Sequence, residues 1–391
     1  MKKLAILGAS YLQVPLILKA NEMGLETHVF AWEEGAVGKE LASYFYPISI
    51  LDREAILLKC KEVGIHGITT IATDIAMPTV NYIAKALDLI GNSEQATLVS
   101  TDKYEMRKAL SSKNVSCPRF SFYEVDNFQN DEIFEFPLIV KPTDRSGSRG
   151  VTKVNRIAEV NPAIKKALEN SINKRVIVEE FIKGRNEFSI ECISYKGEIY
   201  PLVVTDKVTT GAPYFCEIEH HQPAQISDDL KNTMFQMTID ALKALGLENG
   251  ASHTEIILDE NGNCNIVEVA GRMGGDFIGS HLVELSTGFD FLQATIDVSL
   301  GDFDFSRYFK LIKNQFSGVY FLSGKQGRIV EINDNSHKIS EVKYCVSLSR
   351  IGDLVDGIVD GSDKRIGVVV YSSMKINPIE DPTKILSIKI I

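Results

Sequence analysis

The sequence predicts a protein of mixed α/β and α+β class, and three observations support this prediction. In residues 1–100, short apolar strand patterns alternate with helical patterns, which is typical of βαβ units around a parallel sheet. In residues 251–276, two β-type runs flank Asn261-Gly262, which indicates an antiparallel hairpin. From about Phe303 onward, short alternating strands separated by Gly, Asn and Asp indicate a small antiparallel β domain. A chain of 391 residues can hold two or three such domains.

The N-terminal region alternates strands and helices but lacks the signature of a dinucleotide site. Its predicted elements are, in order, a strand at Lys3–Leu7, a helical stretch ending at Met23-Gly24, a strand at Thr27–Ala31, a helix at Asp52–Val63, a strand at Gly67–Ala72 and a helix over about Met77–Leu87. A dinucleotide site requires G-x-G-x-x-G after the first strand and an acidic residue after the second. The chain has Gly8-x-Ser10 and Phe30-Ala31-Trp32 at these places, so we do not assign NAD binding.

The rest of the chain mixes helices with hairpin-like strands. Predicted helices start at the N-caps Thr101, Asn161 and Ser227, ending near Ser112, Asn170 and Leu245, with another near Asp290–Ser299. Predicted strands are Phe136–Pro142, Val151–Val154, Val176–Glu180, Ile199–Thr205, Gly318–Leu322, Gly327–Glu331, Val342–Ser349 and Gly367–Tyr371. The polar segment Asp206–Gln225 receives no element. It holds His220 and His221, which as neighbours should point in opposite directions, toward either a substrate or solvent.

Composition and charge exclude several classes of protein. A formal net charge of −10 argues against a general nucleic-acid surface, which would show clustered Lys and Arg. Six scattered cysteines without a Cys-x-x-Cys pair suggest reduced thiols in the cytosol. The apolar run Leu4–Leu7 is too short for a signal peptide, and no run approaches the roughly 18 apolar residues of a membrane span. We therefore expect a soluble, cytoplasmic protein that binds neither nucleic acid nor membrane.

The hairpin at residues 251–276 brings two carboxylates together. With Asn261-Gly262 as a two-residue loop, Leu258 faces Asn265, Ile257 faces Ile266 on the side of the carboxylates, and Glu255 faces Glu268. Directly paired like charges, with Cβ atoms roughly 4.5–5.5 Å apart, repel each other. A divalent cation would relieve that repulsion, which we expect to be unrelieved without metal, and Mg²⁺ prefers one or two carboxylates plus substrate phosphates. The alternatives are an exposed acidic hairpin, or a loop of three to five residues that shifts the register by one.

A second stretch whose residues could bind a ligand lies at residues 135–150. A strand pattern ends in Lys141 and runs into Asp144–Gly150, a loop that includes Ser146 and Gly147. Glycine-rich backbone can present several N–H groups to phosphate oxygens, while a lysine held on a strand supplies a point charge. The Walker pattern G-x-x-x-x-G-K-[ST] is absent. A Gly/Ser-rich hairpin tip is also a common loop without a ligand, so both interpretations stay open on these residues alone.

In order and spacing, these stretches resemble an ATP-grasp domain, the superfamily of biotin carboxylase, D-alanine–D-alanine ligase, glycinamide ribonucleotide synthetase and L-amino acid ligases. The residues that carry the resemblance are Lys103, Lys141 with its glycine loop, the run Glu180–Glu187, and the pair Glu255 and Glu268 followed by Arg272. The resemblance implies a Rossmann-like domain over residues 1–100, an ATP-grasp domain over 101–302 with a mobile lid over about 115–182, and a C-terminal β domain over 303–391. The loops after the N-terminal strands, Gly8–Gln13 and Thr73-Asp74, would then face the second substrate.

The resemblance also implies a role for each of these residues. It implies nucleotide binding by Lys103, Lys141, Ser146, Gly147, Gly150, Glu180, Phe181, Ile182 and Glu187, with Glu180 and the backbone of Phe181 and Ile182 at the adenine edge and Glu187 at the ribose. It implies Mg²⁺ (or Mn²⁺) ligation by Glu255 and Glu268, and contact of the catalytic residues Lys141 and Arg272 with the phosphoryl group. Glu179 alternates to the other strand face, so we predict it at the surface.

By the same resemblance, the protein is an ATP-dependent ligase that activates a carboxylate as an acyl phosphate and passes it to an amine. Its partners would be small, amino-acid-like carboxylates and amines, and a homodimer is compatible with the family. Three hypotheses stay open: an amino-acid ligase, a ribonucleotide ligase of purine synthesis or relative of carbamoyl phosphate synthetase and biotin carboxylase, and a nucleotide-binding protein without turnover. The third is supported only by Ala270, where many members carry a metal-ligating Asn; L-amino acid ligases look similar to this variant.

Overall fold

The N-terminal part of the protein is a parallel sheet of four strands covered by helices. Its strands are β1 (Lys3–Leu7), β2 (Glu26–Phe30), β3 (Tyr44–Tyr46) and β4 (Gly67–Thr69), in the order β3-β2-β1-β4. The covering helices are α1 (Val14–Glu22), α2 (Arg53–Val63) and α3 (Met77–Ala86). The computed structural model describes residues 1–124, 135–147, 149–212, 214–359 and 361–391. The parallel sheet predicted from strand–helix alternation is confirmed.

Two helices connect this sheet to a second, antiparallel sheet. The helices are α4 (Glu94–Thr101) and α5 (Lys103–Ser112). The second sheet contains β5 (Phe120–Tyr123), β6 (Leu138–Pro142), β7 (Thr152–Val154) and β8 (Val176–Glu180), in the order β5-β8-β6-β7. Helix α6 (Val160–Asn170) packs on it over a small core of its own that includes Leu138 and Ile164. This sheet lies within the predicted lid; residues 125–134 and Ser148 of that prediction lie outside the described residues.

The largest sheet contains eight strands and joins the middle of the chain to the C-terminal region. The remaining elements are, in order, β9 (Gly184–Tyr195), β10 (Glu198–Thr209), β11 (Glu217–Gln222), α7 (Asp228–Leu245), β12 (Gly250–Asp259), β13 (Cys264–Ala270), α8 (Val283–Thr287), α9 (Phe291–Ser299), β14 (Phe316–Leu322), β15 (Gly327–Asp334), β16 (Val342–Ser347), β17 (Leu354–Val355), β18 (Gly367–Ser373) and β19 (Leu386–Ile390). The eight-stranded sheet has the order β13-β12-β9-β10-β11-β14-β18-β16, and β17-β15-β19 form a separate sheet.

The C-terminal region is antiparallel, as predicted, but it continues the central sheet. Strand β14 pairs with β11, and β18 and β16 extend the sheet beyond it. Among the described residues, the C-terminal strands that do not join the central sheet are β15, β17 and β19, which form a small sheet of their own. The boundaries at residues 100 and 302 stay predictions, and the β11–β14 pairing places C-terminal side chains beside the central strands.

Helix caps show where local signals were sufficient. Ser227 accepts a hydrogen bond from a first-turn backbone N–H of α7, and Gly246 ends that helix with φ +68°, both as predicted. Thr101 is not an N-cap: it ends α4, and the carboxylate of Asp102 caps α5 by accepting from two backbone N–H groups. Asn161 lies inside α6, which begins one residue earlier.

The segment Asp206–Gln225, which received no element, contains strand. Strand β10 runs on to Thr209, and β11 follows. Polar residues are tolerated there because they form buried charge pairs within the sheet; Lys207, for example, is 5% exposed. His220 and His221 point in opposite directions, as predicted for neighbours in a strand. The ring of His221 lies 3.0 Å from the hydroxyl of Tyr371.

The tip of the β12–β13 hairpin differs from the predicted two-residue turn. The N–H of Asp259 donates to the carbonyl of Asn263, and the N–H of Gly262 donates to the carbonyl of Asp259, so the loop consists of three residues, 260–262. The Asp259 carboxylate accepts from the backbone N–H groups of Asn261 and Asn263, which favours this longer loop. Gly262, at φ +83°, takes the left-handed position that such a loop requires.

A β-bulge restores the predicted pairing of Glu255 with Glu268. The longer loop shifts the register near the tip by one residue, so the other predicted pairs are wrong; the observed pairs are Ile256 with Ile266, Ile257 with Asn265, and Leu258 with Cys264. Val267 is then an extra residue on β13, and beyond it Glu255 faces Glu268. The prediction was correct because a loop one residue longer and a bulge cancel.

Two further features of the chain are the state of its cysteines and the character of its helices. All six cysteines are free; four of them are buried, and Cys117 and Cys345 are half-buried. Among the described residues, we find no helix with both the length and the apolar character needed to cross a membrane.

Candidate functional site

The predicted metal ligands face each other on neighbouring strands, and each already contacts a lysine. Oε1 of Glu255 lies 2.6 Å from Nζ of Lys207 and 3.3 Å from Nε2 of His253. Oε1 of Glu268 lies 3.1 Å from Nζ of Lys103. The prediction that their repulsion is unrelieved without metal is therefore wrong. Burial alone would raise the pKa of the Glu255 carboxyl, but Lys207 and His253 hold it well below its usual value.

Lys207 connects three carboxylates at the centre of the large sheet. Its Nζ lies 2.6 Å from Glu217, 2.6 Å from Glu255 and 3.0 Å from Glu187. Burial would lower the pKa of Lys207, but these carboxylates raise it well above its usual value. Carboxylate oxygens of the three glutamates lie within 4.8 Å of one another, close enough to share a cation. Glu187, predicted at the ribose, contacts Lys207 here, and its ribose role stays a prediction.

Lys103 and Arg272 lie at the edge where the N-terminal sheet meets the hairpin. Lys103 donates to the carbonyl of Arg145 over 2.7 Å, besides its ion pair with Glu268. Arg272 donates two hydrogen bonds of 2.9 Å to the carboxylate of Asp74, which belongs to the loop predicted to face the second substrate. A small cavity between these segments is lined by Thr73, Asp74, Ile75, Ser100, Thr101, Lys103, Met106, Asp144, Arg145, Ser146, Arg149 and Glu268. The structure thus brings the predicted phosphate-binding groups Lys103 and Ser146 together with Glu268, one of the two predicted metal ligands.

The glycine loop lies beside this cavity in a conformation that needs glycine. Gly147 and Gly150 have φ angles of +67° and +77°, which disfavour other residues. A Cβ at Gly150 would also lie 2.9 Å from the Cβ of Asn170. Ser146 lines the cavity, and Ser148 lies outside the described residues. The loop therefore contributes Ser146 and Arg149 to the wall of the cavity.

The predicted adenine-side residues are engaged within the protein. The carboxylate of Glu180 accepts hydrogen bonds from the backbone N–H of Arg119 over 2.9 Å and from its guanidinium Nε over 2.8 Å. The N–H of Phe181 donates to the carbonyl of Pro137, while Phe181 and Ile182 are both half-buried. Contact of Glu180, Phe181 and Ile182 with adenine stays a prediction.

Glu179 was predicted at the surface, and this prediction is wrong. It is 2% exposed and lies 2.7 Å from Nζ of Lys141 and 2.8 Å from Nε of Arg107. Strand alternation was applied correctly, but β8 is buried on both faces: Val176 and Val178 pack in the core under α6, and the face of Glu179 is covered as well. Lys141, predicted as a nucleotide lysine, therefore has a carboxylate partner that the sequence patterns did not indicate.

A second polar cluster adjoins Lys207 on the side of the C-terminal region. Nη1 of Arg365 lies 2.7 Å from Oδ2 of Asp276, and its guanidinium stacks 3.6 Å from the ring centre of Phe321. Nε2 of the fully buried His220 lies 3.6 Å from Glu217 and 3.9 Å from Asp276, too far for a hydrogen bond. Burial would lower the pKa of His220, but the two carboxylates raise it. Both ring nitrogens of His220 therefore lack a hydrogen-bond partner among the described residues.

Sequence patterns missed several of these residues. Lys207 lies in a segment to which no element was assigned, and its pairing opposite Glu187 appears only in the sheet register. Arg365 stands alone in the C-terminal region, outside any motif. Asp276 follows Gly274-Gly275 and is near the predicted site in sequence, so proximity to Arg272 was the one signal that could have found it.

Comparison with known proteins gives the context for this geometry. Residues 134–280 match the family model described as an ATP-grasp domain. The alanine–anticapsin ligase of Bacillus amyloliquefaciens is 30% identical over 295 residues, which cover 66% of this chain and 62% of that protein. The chain thus spans less than two thirds of the length of that ligase.

Two solved structures share the fold over the whole chain. The L-amino acid ligase from Bacillus licheniformis has a TM-score of 0.86 at 23% identity, covering 100% of this chain and 99% of that one. The phosphoribosylglycinamide synthetase from Anaerococcus prevotii has a TM-score of 0.80 at 22% identity and covers 100% of both chains. At this identity, the likeness shows the fold.

Proposed function

The chain carries an ATP-grasp domain, and we propose that it is a ligase that uses ATP to join a carboxylate to an amine. The observation that carries the proposal is the direct pairing of Glu255 with Glu268, with Lys103 and Arg272 beside them. Carboxylates for a cation and cations for phosphates thus lie together, as phosphoryl transfer requires. The reaction would release ADP and phosphate.

The residues present fit Mg²⁺, with Mn²⁺ as an alternative. Glu255 and Glu268 face each other on paired strands, and Mg²⁺ prefers one or two carboxylates plus phosphate oxygens. Held by Glu255 and Glu268, the cation would neutralise negative charge on the phosphates of ATP. Lys207 and Lys103 currently balance the charge of the two carboxylates.

The chain's own side chains account for the remaining charge. Lys103 and Lys141 would bind phosphate oxygens, and the glycine loop would cover them and exclude water. Arg272 would bind the transferred phosphoryl group, using donors that now contact Asp74. An acyl phosphate needs no serine, cysteine or histidine nucleophile, since the substrate carboxylate attacks the phosphorus itself.

We place the second substrate between the loop Gly8–Gln13, whose Tyr11 ring lies 6.2 Å from that of Phe277, and the polar cluster of Glu217, His220, Asp276 and Arg365. This cluster adjoins the metal pair through Lys207, which contacts both Glu217 and Glu255. It offers a guanidinium for a carboxylate and acidic groups for an ammonium, a combination that suits amino-acid-like molecules. The relatives named alanine–anticapsin ligase and L-amino acid ligase support the same substrate class.

Two alternatives remain, each with one observation in its favour. The likeness to phosphoribosylglycinamide synthetase favours a ribonucleotide ligase. The buried Ala270 favours a nucleotide-binding protein without turnover, since it offers no side-chain oxygen to the cation where many ATP-grasp members carry an Asn. We also propose a cytoplasmic location, and a homodimer that sedimentation would detect.

Release of ADP and phosphate from Mg-ATP tests the proposal. Pairs of amino acids are compared with phosphoribosylamine plus glycine, and each acid is also tried without its amine. An amino-acid ligase predicts release that depends on an amino-acid pair. Release only with phosphoribosylamine and glycine would favour the ribonucleotide ligase, and binding of Mg-ATP without any release would favour the non-catalytic protein.

A further inference from the structure

A buried set of three charged side chains lies behind the site and includes the nucleotide lysine. Nε of Arg107 lies 2.8 Å from Oε1 of Glu179, and Oε2 of Glu179 lies 2.7 Å from Nζ of Lys141. The side chains of Arg107, Glu179 and Lys141 are 0%, 3% and 11% exposed. They come from α5, β8 and β6, so this triad joins the helix that carries Lys103 to the sheet that carries the glycine loop.

The register of the lid sheet sets the contact between Glu179 and Lys141. Glu179 pairs directly with Ile139, and Lys141 pairs directly with Ile177. Glu179 and Lys141 are therefore diagonal neighbours on one face of the sheet, within reach of each other's long side chains. Glu180 follows on the opposite face, so the two consecutive glutamates contact different residues: Glu180 contacts Arg119, and Glu179 contacts Lys141.

Arg107 makes a second contact, which reaches the strand that carries Glu268. Its Nη2 donates a hydrogen bond of 2.6 Å to the carbonyl oxygen of Val267. Val267 is the extra residue of the β-bulge that sets Glu268 opposite Glu255. A bulged residue lies outside the regular ladder of hydrogen bonds, so a donor from elsewhere fixes its orientation. Arg107 thus contacts both Glu179, the partner of Lys141, and the bulged residue of strand β13.

Charge explains why Lys141 needs a partner at this depth. Burial lowers the pKa of Lys141, the neighbouring charges of Arg107 and Lys103 lower it further, and the carboxylate of Glu179 opposes these effects. Burial would raise the pKa of the Glu179 carboxyl, but Arg107 and Lys141 hold it below its usual value. Without Glu179, the charges beside Lys141 that shift its pKa would, among the described residues, be the cations Arg107 and Lys103, and Lys141 would lose its proton more easily.

We propose that Glu179 and Arg107 are positioning residues for nucleotide binding. Glu179 holds the ammonium of Lys141 at the phosphate end of the site, and Arg107 fixes Glu179 and the Val267 bulge to one helix. The inference rests on the proposed function, since it takes the phosphates of ATP as the anion that Lys141 binds. An ammonium has three N–H donors, so one contact with Glu179 leaves two for phosphate oxygens.

The test is the affinity for Mg-ATP, measured by calorimetry at a series of pH values rising from about pH 7, because a lysine of lowered pKa loses its proton earlier in such a series than a free lysine does. Glu179→Gln keeps the shape and removes the charge. We expect binding about tenfold weaker near pH 7, with a loss that grows as the pH rises, because Lys141 then loses its proton. Adding Lys141→Arg should remove the pH dependence, because a guanidinium stays protonated throughout. A purely structural triad predicts no such rescue.

Asp290→Asn is the matched control, because Asp290 is another buried carboxylate between two cations. It lies 2.9 Å from Lys19 and 2.7 Å from Lys310, outside the described site. We expect this variant to lose stability while keeping the affinity and pH profile of the wild type. Glu179→Gln with that same behaviour would overturn the proposal. If Glu179→Gln does not fold, Glu179→Asp keeps the charge but withdraws it from Lys141, and wild-type affinity in that variant would equally overturn it.

Failure of the proposed function gives a different result. Wild-type protein that binds no Mg-ATP at any of these pH values refutes the nucleotide site and the inference with it. Wild-type protein that binds Mg-ATP, with an unchanged profile in Glu179→Gln, refutes only the role of the triad.

Discussion

Replacing Glu268 by Gln separates its contribution to stability from the metal binding that we propose for it. Oε1 of Glu268 lies 3.1 Å from Nζ of Lys103, and the two side chains are 23% and 9% exposed. Glutamine keeps the shape and an oxygen that can accept a hydrogen bond from Lys103, but it removes the charge, so the ion pair is lost while the contact with the carbonyl of Arg145 at 2.7 Å stays. Leaving a fully buried ion without its partner costs about 3–5 kcal/mol, and exposed pairs contribute about 0–1 kcal/mol. For this partly exposed pair we expect a loss of about 1–2 kcal/mol.

Urea unfolding with EDTA measures that loss, and ADP release measures the metal role. The control is Glu284→Gln, which removes a more exposed partner, 2.7 Å from Lys310, and should change stability by less than about 1 kcal/mol. Glu268→Gln should also abolish ADP release, because the cation loses a ligand, whereas Glu284→Gln should not. A metal-free Glu268→Gln protein more stable than the wild type would refute the pairing with Lys103, and near-normal release would refute the metal site.

Three further predictions concern the lysine, the loop and pH. Lys141→Met should weaken Mg-ATP binding at least about tenfold while circular dichroism stays native, because a phosphate contact is lost; wild-type affinity would remove Lys141 from the site. Hydrogen exchange in residues 146–150 should slow when Mg-ATP saturates the protein, since lids order on closure; equal rates would count against a lid. Burial alone would lower the pKa of His253, but the carboxylates of Glu191 and Glu255 outweigh it and raise the value to about 9. Stability on the order of 3 kcal/mol, fully present below about pH 6.5, should therefore be lost as the pH rises through about 9, and urea unfolding of His253→Gln should show a flatter profile.

Features set by neighbouring residues could be predicted from the sequence. Strands Lys3–Leu7 and Val176–Glu180 have the predicted bounds, because apolar runs between turn signals are local patterns. The helix between Ser227 and Gly246 was also found, since both caps act within one turn. The pairing of Glu255 with Glu268 was predicted as well, although its register arithmetic was right only through two cancelling differences.

Features set by contacts distant in sequence could not be predicted. Glu179 looks like a strand residue on either face until α5 brings Arg107 over it. Lys207 contacts several carboxylates because its strand, β10, lies between the strands that carry Glu187 and Glu217. The C-terminal strands give no sign in their sequence that β14 pairs with β11, which is what brings Arg365 to the central cluster.

The central claim is that a substrate carboxylate attacks the γ-phosphoryl group of ATP to form an acyl phosphate. The measurement that tests it most directly uses the acid identified by the ADP-release screen, labelled with ¹⁸O in its carboxyl group, together with Mg-ATP and the amine. Mass spectrometry then follows the label into the released phosphate. Our account predicts one carboxyl ¹⁸O in each phosphate released and ADP as the nucleotide product. Phosphate without label, or AMP and pyrophosphate as products, would contradict it.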